Sequence, residues 1–256
     1  MIRLQELTKN FGSQVAVDSL TLEIPAGQIV GFLGPNGAGK STTLKMLTGM
    51  IEPTSGSASV CGFDIGRDPI EVKRRIGFVP ESGAVFESLT GLEYLEMVGA
   101  LYGIAQEAAR ERILQFIAFF DLSFETLSEK LLGAYSKGMR RKVVITAALL
   151  HNPMVVFFDE PLDGLDANAA VGFKALIQKL AQEGKTIVYS SHILDVVERV
   201  CDRVIIINKG KLVVDGTPQA LVASHSSGTL ERLFTELTGG TELERRAEEF
   251  AKTFRP

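Results

Sequence analysis

Alternating and continuous apolar runs divide the chain before any chemistry is considered. Residues 2–9 alternate, and 19–24 alternate again with Leu20, Leu22 and Ile24 on one face, which predicts two strands. Phe11-Gly12 turns between them. Pro25-Ala26-Gly27 turns into 28–33, whose apolar run reads as a buried strand. Residues 42–48 read as a helix stopped by Gly49. A turn over 52–56, a strand over 57–61, a short helix over 69–75 and a strand over 75–79 follow, ending at Pro80-Glu81.

From about residue 82 to 152 helical patterns replace strand patterns. Leu92, Leu95, Glu96 and Val98 belong to one helix. Ile113, Phe116, Ile117 and Phe120 supply a second with an apolar stripe at helical spacing, and 137–150 forms a third. These stripes read as core, so the segment is a helical insert in an otherwise α/β chain. Residues 154–158 are continuously apolar, as in a strand of a parallel sheet buried on both faces, and end in Asp159-Glu160-Pro161. A helix over 166–182 with Asp166 as N-cap, a strand over 186–190, a helix to Val200 and a hairpin about Asn208-Lys209-Gly210-Lys211 follow. Thr217-Pro218 starts the last core helix. Beyond a linker-like stretch near Ser224, Leu230, Leu233 and Phe234 share a helical face, and Gly239-Gly240 breaks that element. Thr241 and Glu244 are spaced as a capping box for a charged helix bearing Leu243, Phe250 and Phe254. That stripe is expected to pack on its own domain; contact with a partner is the other reading.

Composition narrows the class. The chain has 256 residues and a formal net charge of -4, which suits one large α/β domain, or a domain with a smaller insert, and not a nucleic-acid binder. The notable basic run, Lys137, Arg140, Arg141 and Lys142, reads as a solvated helix face. Cys61 and Cys201 supply neither a disulfide framework nor zinc-ligand spacing, and read as small buried apolar residues in a reduced cytosol. No signal-peptide core opens the chain and no apolar stretch is long enough to cross a membrane, so work at a membrane requires another chain.

The chemistry concentrates in Gly34-Pro35-Asn36-Gly37-Ala38-Gly39-Lys40-Ser41, which matches G-x-x-x-x-G-K-[ST] between a strand and a helix. The glycines let backbone N–H groups close around phosphate oxygens, and the helix N-terminus, where Thr42 also sits, adds a positive partial charge. Lys40 is expected to reach the β- and γ-phosphates of a nucleotide, and the Ser41 hydroxyl to hold Mg2+. Asp159 can complete the Mg2+ shell through water, and Glu160 can face the attacking water as general base. Phe11 either stacks on an adenine ring or anchors its loop. His192 is either functional or a core or cap histidine; His151 and His225 read as the latter.

With its motifs in this order, the chain resembles the nucleotide-binding subunit of an ATP-binding cassette transporter over nearly its whole length. Residues 34–41 correspond to the Walker A loop, 155–160 to the Walker B strand, and Gly164-Leu165-Asp166 to the D-loop. Tyr135-Ser136-Lys137-Gly138-Met139 stands where the family carries its Leu-Ser-Gly-Gly-Gln signature. The resemblance implies an α/β P-loop NTPase core with a mixed sheet, an N-terminal antiparallel β-subdomain and an inserted α-helical subdomain. The cassette would span 1–223, with the insert at about 82–152, and a C-terminal helical extension would span 224–256. It implies ATP and Mg2+ as cofactors, with Lys40, Glu160 and His192 as catalytic residues and Phe11 against the adenine. Two cassettes, a homodimer, would pair head to tail, so that Ser136 and Gly138 contact the γ-phosphate held by the other chain, while Asp166 communicates across the interface. The permease would be a separate integral-membrane chain, no nucleic acid would be bound, and the subunit would work in the cytoplasm on the inner face of the cell membrane.

Three departures from the family pattern bear on the chemistry. Glu81 stands where glutamine is usual and is expected to add a carboxylate oxygen near Mg2+. Lys137 replaces the first signature glycine and Met139 the glutamine; Lys137 either brings a positive charge to the partner's γ-phosphate or points to water. Asp163 stands where serine or asparagine is commoner. The Tyr-Ser-x-Gly-Met form, with the tail over 230–238, resembles a branch associated with export of drugs, antibiotics, lipids or polysaccharides. The competing classes are a soluble cassette acting on DNA or ribosomes, and a regulatory cassette without turnover. The single cassette with no heptad arm speaks against the first, and the intact Lys40, Ser41, Asp159, Glu160 and His192 against the second.

Overall fold

A computed structural model of the chain describes residues 1–191, 194–224, 228–239 and 250. Strands β1 (Ile2–Phe11) and β2 (Gln14–Ile24) form an antiparallel hairpin. β2 begins five residues before the alternation predicts. Register shifts in the hairpin, with Glu6 and Ser19 at φ 48° and 50°, reset the phase of the alternation, as bulges do. Strand β3 (Ile29–Leu33) leads through the glycine-rich loop into α1 (Lys40–Leu47). Strands β4 (Ser55–Val60) and β5 (Phe63–Asp64) complete a four-stranded antiparallel sheet in the order β2-β1-β4-β5. After α2 (Pro69–Arg75) and β6 (Ile76–Val79) come the helices of the insert, α3 (Gly91–Leu101), α4 (Gln106–Phe119), α5 (Phe124–Glu129) and α6 (Lys137–Leu149). The chain closes with β7 (Val155–Asp159), α7 (Ala167–Gln182), β8 (Thr186–Ser190), α8 (Leu194–Val200), β9 (Arg203–Asn208), β10 (Lys211–Gly216), α9 (Pro218–Ser224) and α10 (Leu230–Thr238).

The larger sheet has the order β10-β9-β3-β8-β7-β6, parallel except for β10. Every residue of β3, β7 and β8 is buried, which explains their unbroken apolar runs. Successive side chains still face opposite ways. Phe157 joins the cluster beneath the antiparallel sheet, whereas Val156 and Phe158 join the cluster under α6, α7, α8 and α10. A third cluster fills the helical insert, and α6 belongs to two of them. Its Val143 and Ala147 side, continued by Leu150 just past its end, faces α3 to α5, while Val144, Ile145 and Ala148 pack on the sheet. That split seats the insert on the α/β core. Helix α10, capped by Thr229 and closed by Gly239 at φ 85°, buries Leu230 and Leu233 in the same cluster as α8 and α9. Leu243 and Phe254 lie outside the described residues. Among the described residues, no helix is long and apolar enough to cross a membrane.

Candidate nucleotide site

In a parallel sheet the C-terminal ends of strands share one edge, and ligands bind in the crevice beyond it. Here β3, β8, β7 and β6 bring the loop of residues 34–39, Ser190, Asp159-Glu160 and Pro80-Glu81 to that edge. A cleft of about 460 Å3 opens there, bordered by Asn36, Gly37, Ala38, Gly39, Lys40, Ser41 and Thr42 on one side and by Glu81, Asp159 and Glu160 on the other. Phe11, half exposed, stands at its rim with Gln14 and Ala16 of β2. The Lys9 ammonium lies 5.2 Å from the centre of that ring. Gln14 and Ala16 lay beyond the reach of sequence reasoning, because the bulged pattern hid the start of β2.

The loop's path is set from outside. The Ala38 amide donates to the Pro35 carbonyl at 3.0 Å, and the Gly210 amide, in the β9–β10 turn, donates to the Ala38 carbonyl at 2.9 Å. Gly39 has φ 106°, and a Cβ there would come within 2.4 Å of the Ala16 carbonyl, so both conformation and space demand glycine. Gly34 is buried in the same way, its missing Cβ replaced by the Ile207 carbonyl. The Lys40 ammonium donates to the carbonyls of Gly34 and Pro35 at 2.6 and 3.2 Å. Burial pushes its pKa down, opposed by the carboxylates of Glu160, Asp159 and Glu81.

Asp159 is buried at the end of β7, paired in register with Ser190. Glu160 follows in the left-handed region, φ 49°, its N–H donating to the Ser190 carbonyl at 3.0 Å. A non-glycine residue held there stores roughly 1–3 kcal/mol of strain and persists only where its surroundings over-determine it. Ser41, Asp159 and Glu81 offer oxygen donors around one cleft. Mg2+, which takes one or two carboxylates together with substrate phosphates, fits that donor chemistry. Among the described residues, no group of three or more His, Cys, Asp or Glu side chains is placed to hold a metal ion.

The signature segment lies elsewhere. Ser136 is the N-cap of α6, its hydroxyl accepting from the Met139 amide at 3.2 Å, and neither Ser136 nor Gly138 borders this cleft. Gly138 packs on the D-loop, where a Cβ would meet the Gly164 carbonyl at 2.4 Å. Asp166 caps α7 by accepting from the Ala169 amide at 2.8 Å, as its position predicts, and also faces Lys142 at 3.3 Å. His192 lies outside the described residues, as does His225. His151 is structural, bonded through Nε2 to the Ile76 carbonyl at 2.8 Å and stacked on Tyr102.

Two expectations are corrected. The basic run is not a solvated face. Arg141 is 2% exposed, Arg140 faces Glu87 at 3.4 Å, and Lys142 donates to the Phe120 carbonyl at 3.0 Å. The helix period places Arg141 on the stripe of Val144, Ile145 and Ala148, a signal that composition obscured. Lys137, largely exposed, pairs with the Asp163 carboxylate of its own chain at 2.6 Å, so two departures from the family pattern pair with each other. Cys201 is buried as expected, whereas Cys61 is only half buried, in a turn with φ 55°.

Residues 17–163 match the family described as ABC transporter. This chain belongs to the ABC transporter family. The ATP-binding protein NatA of Bacillus subtilis is 39% identical over 91% of this chain and 96% of its own length. The daunorubicin/doxorubicin resistance ATP-binding protein DrrA of Streptomyces peucetius is 37% identical over 95% of this chain and 73% of its own. Among solved structures, an ATP-binding subunit of an ABC transporter superposes with a TM-score of 0.86 at 30% identity, covering 93% of this chain and 99% of that one. A dimeric cassette in a post-hydrolysis state, bound to ADP and Pi, gives 0.78 at 26% identity, covering 85% of this chain and 98% of that one. As a member of this family the chain is an ATP-binding subunit with the P-loop NTPase fold, and it hydrolyses ATP to drive transport.

Proposed function

We propose that this subunit powers export through a separate membrane permease, working as one half of a cassette dimer at the inner face of the cell membrane. The observation that carries the reading is the single cleft at the strand ends, where the phosphate loop, Asp159, Glu160 and Glu81 converge. In this reading the adenine of ATP stacks on Phe11. Residues 34–42 hold the phosphates through backbone amides and Lys40, whose charge leans toward the β- and γ-phosphates. Ser41 and Asp159, with Glu81, hold Mg2+, which when bound neutralises charge on the phosphates. Glu160 accepts the proton of the attacking water, a contribution of roughly 10²–10⁴-fold. His192 holds the γ-phosphate. The products are ADP and phosphate.

Ser136 and Gly138, absent from this chain's own cleft, face the nucleotide of a second copy. The dimeric cassette that this chain resembles favours this arrangement. Export rests on relatives such as the daunorubicin/doxorubicin resistance protein, together with the Tyr-Ser-x-Gly-Met form and the 230–238 tail. The names of the relatives favour a transporter over a soluble cassette acting on DNA or ribosomes.

The test is phosphate release from ATP by the full chain, titrated with Mg2+. The native chain is expected to turn over, Lys40→Ala to lose turnover, and Glu81→Gln to keep turnover with an altered Mg2+ dependence. Equal rates for the native chain and Lys40→Ala overturn the site. An unchanged rate and Mg2+ midpoint in Glu81→Gln remove Glu81 from the metal shell.

A further inference from the structure

Behind the cleft lies a cation that the reading above does not use. Arg141, on the first turns of α6, donates Nη1–H to the Pro80 carbonyl at 2.7 Å, Nη2–H to the Glu81 carbonyl at 2.8 Å and Nε–H to the Asp163 carbonyl at 3.3 Å. Its side chain is withdrawn from solvent. All three acceptors are backbone, and they belong to two loops far apart in sequence. A planar guanidinium with donors in a fixed fork serves such a set; an ammonium cannot match it.

The bonds continue beyond Arg141. The Asp163 amide donates to the Glu160 carbonyl at 3.2 Å, and the Glu160 amide to Ser190 at 3.0 Å. The grip on Asp163 therefore reaches the backbone of Glu160, held at φ 49°. One turn earlier on α6, Lys137 binds the Asp163 carboxylate at 2.6 Å, and Gly138 packs against Gly164. That exposed pair adds little by itself. Its geometry closes a ring from the signature turn through the D-loop to Glu160, with Arg141 at the centre.

We infer that Arg141 is a positioning residue for ATP hydrolysis, its guanidinium tying the loop of Glu81 and the loop that aligns Glu160 to the helix whose N-terminal turn this chain offers to a second cassette. The inference rests on the proposed roles of Glu81, Glu160 and the Ser136 turn. Its consequence is that the alignment of a chain's own general base and the placement of its signature turn change together. A displacement of either loop by about an ångström is enough to slow chemistry on the order of 10²-fold.

The test uses Arg141→Gln and Arg141→Lys in the full chain, with Lys137→Ala beside them. ATP binding, the kcat and KM of phosphate release, and the thermal midpoint are measured for each. For Arg141→Gln we expect kcat lower by roughly 10–100-fold, with ATP affinity held within about threefold. Arg141→Lys, which keeps the charge and some of the donors, is expected to recover part of that loss. A purely structural arginine lowers the midpoint and the yield of folded subunit but leaves kcat per ATP-binding subunit unchanged; that result overturns the inference. If Arg141→Gln does not fold, Arg141→Lys decides alone: an unchanged kcat per bound ATP overturns it and a lowered one supports it. A native chain without turnover, or one matched by Lys40→Ala, refutes the site itself, a failure distinct from that of Arg141.

Discussion

Individual side chains here are governed by what burial does to charge. Lys40 and Arg141 are two cations withdrawn from water near the same carboxylates; burial lowers both pKa values, opposed at Lys40 by Glu160, Asp159 and Glu81 and at Arg141 by Asp163 first, then Asp159, Glu81 and Glu160. Removing either leaves carbonyls or carboxylates without their buried partner, the expensive way to lose an interaction. His151 shows the same effect of burial on a group that titrates nearer neutral pH. Its Nε2–H serves the Ile76 carbonyl, and Nδ1 is buried with no hydrogen-bond partner among the described residues. Burial lowers its pKa, opposed by the bond to Ile76 and aided by Lys185 and Arg112. The folded value thus lies below the unfolded one of about 6.5. Its stabilising effect is complete above that pH and is lost as pH falls below it toward the folded value. Thermal midpoints measured from pH 7 to pH 5 should fall more steeply for the native chain than for His151→Phe, which keeps the stack on Tyr102. Parallel curves would show that this imidazole carries no charge penalty.

Elements were legible where their period ran long enough. The helix α2 and the strand β8 fall where the pattern predicts, and Asp166 caps α7 because a side-chain oxygen at that position meets an unpaired amide. The short β5 and α5 show no period of their own, and β2 lost its first half to bulges. The segment beyond Ser224 read as an extension after a linker. Its helix α10 contributes Leu230 and Leu233, fully buried, to a core cluster of the α/β part. Leu233→Ala is therefore expected to destabilise the whole chain by about 2–5 kcal/mol, seen as a lower urea midpoint of a single transition. An unchanged midpoint would make α10 an appendage.

At the scale of the molecule, the chain holds both halves of the expected machinery on different surfaces. The phosphate loop, Asp159 and Glu160 face one cleft; Ser136 and Gly138 sit outside it, against the D-loop. In the proposed homodimer both sets would meet at each nucleotide. Glu160→Gln, which binds ATP without its general base, should therefore rise with Mg-ATP from the 27.8 kDa monomer to twice that mass in solution. ATP bound to a chain that stays monomeric would count against pairing of two copies.

The sequence by itself determined the nucleotide chemistry, because a phosphate loop needs glycines, a lysine and a hydroxyl at set spacing between a strand and a helix. It also determined which strands are buried on both faces, since continuous apolar runs tolerate no water. Tertiary structure alone decided what meets what. Strand order brought Asp159, Glu160 and Glu81 to the phosphate loop across more than forty residues of chain. The facing of α6 turned Arg141 from an apparent solvated base into a buried clasp and set Lys137 on Asp163. Local spacing encodes the elements and their caps, whereas contacts between loops depend on how the layers stack, which no window of sequence contains.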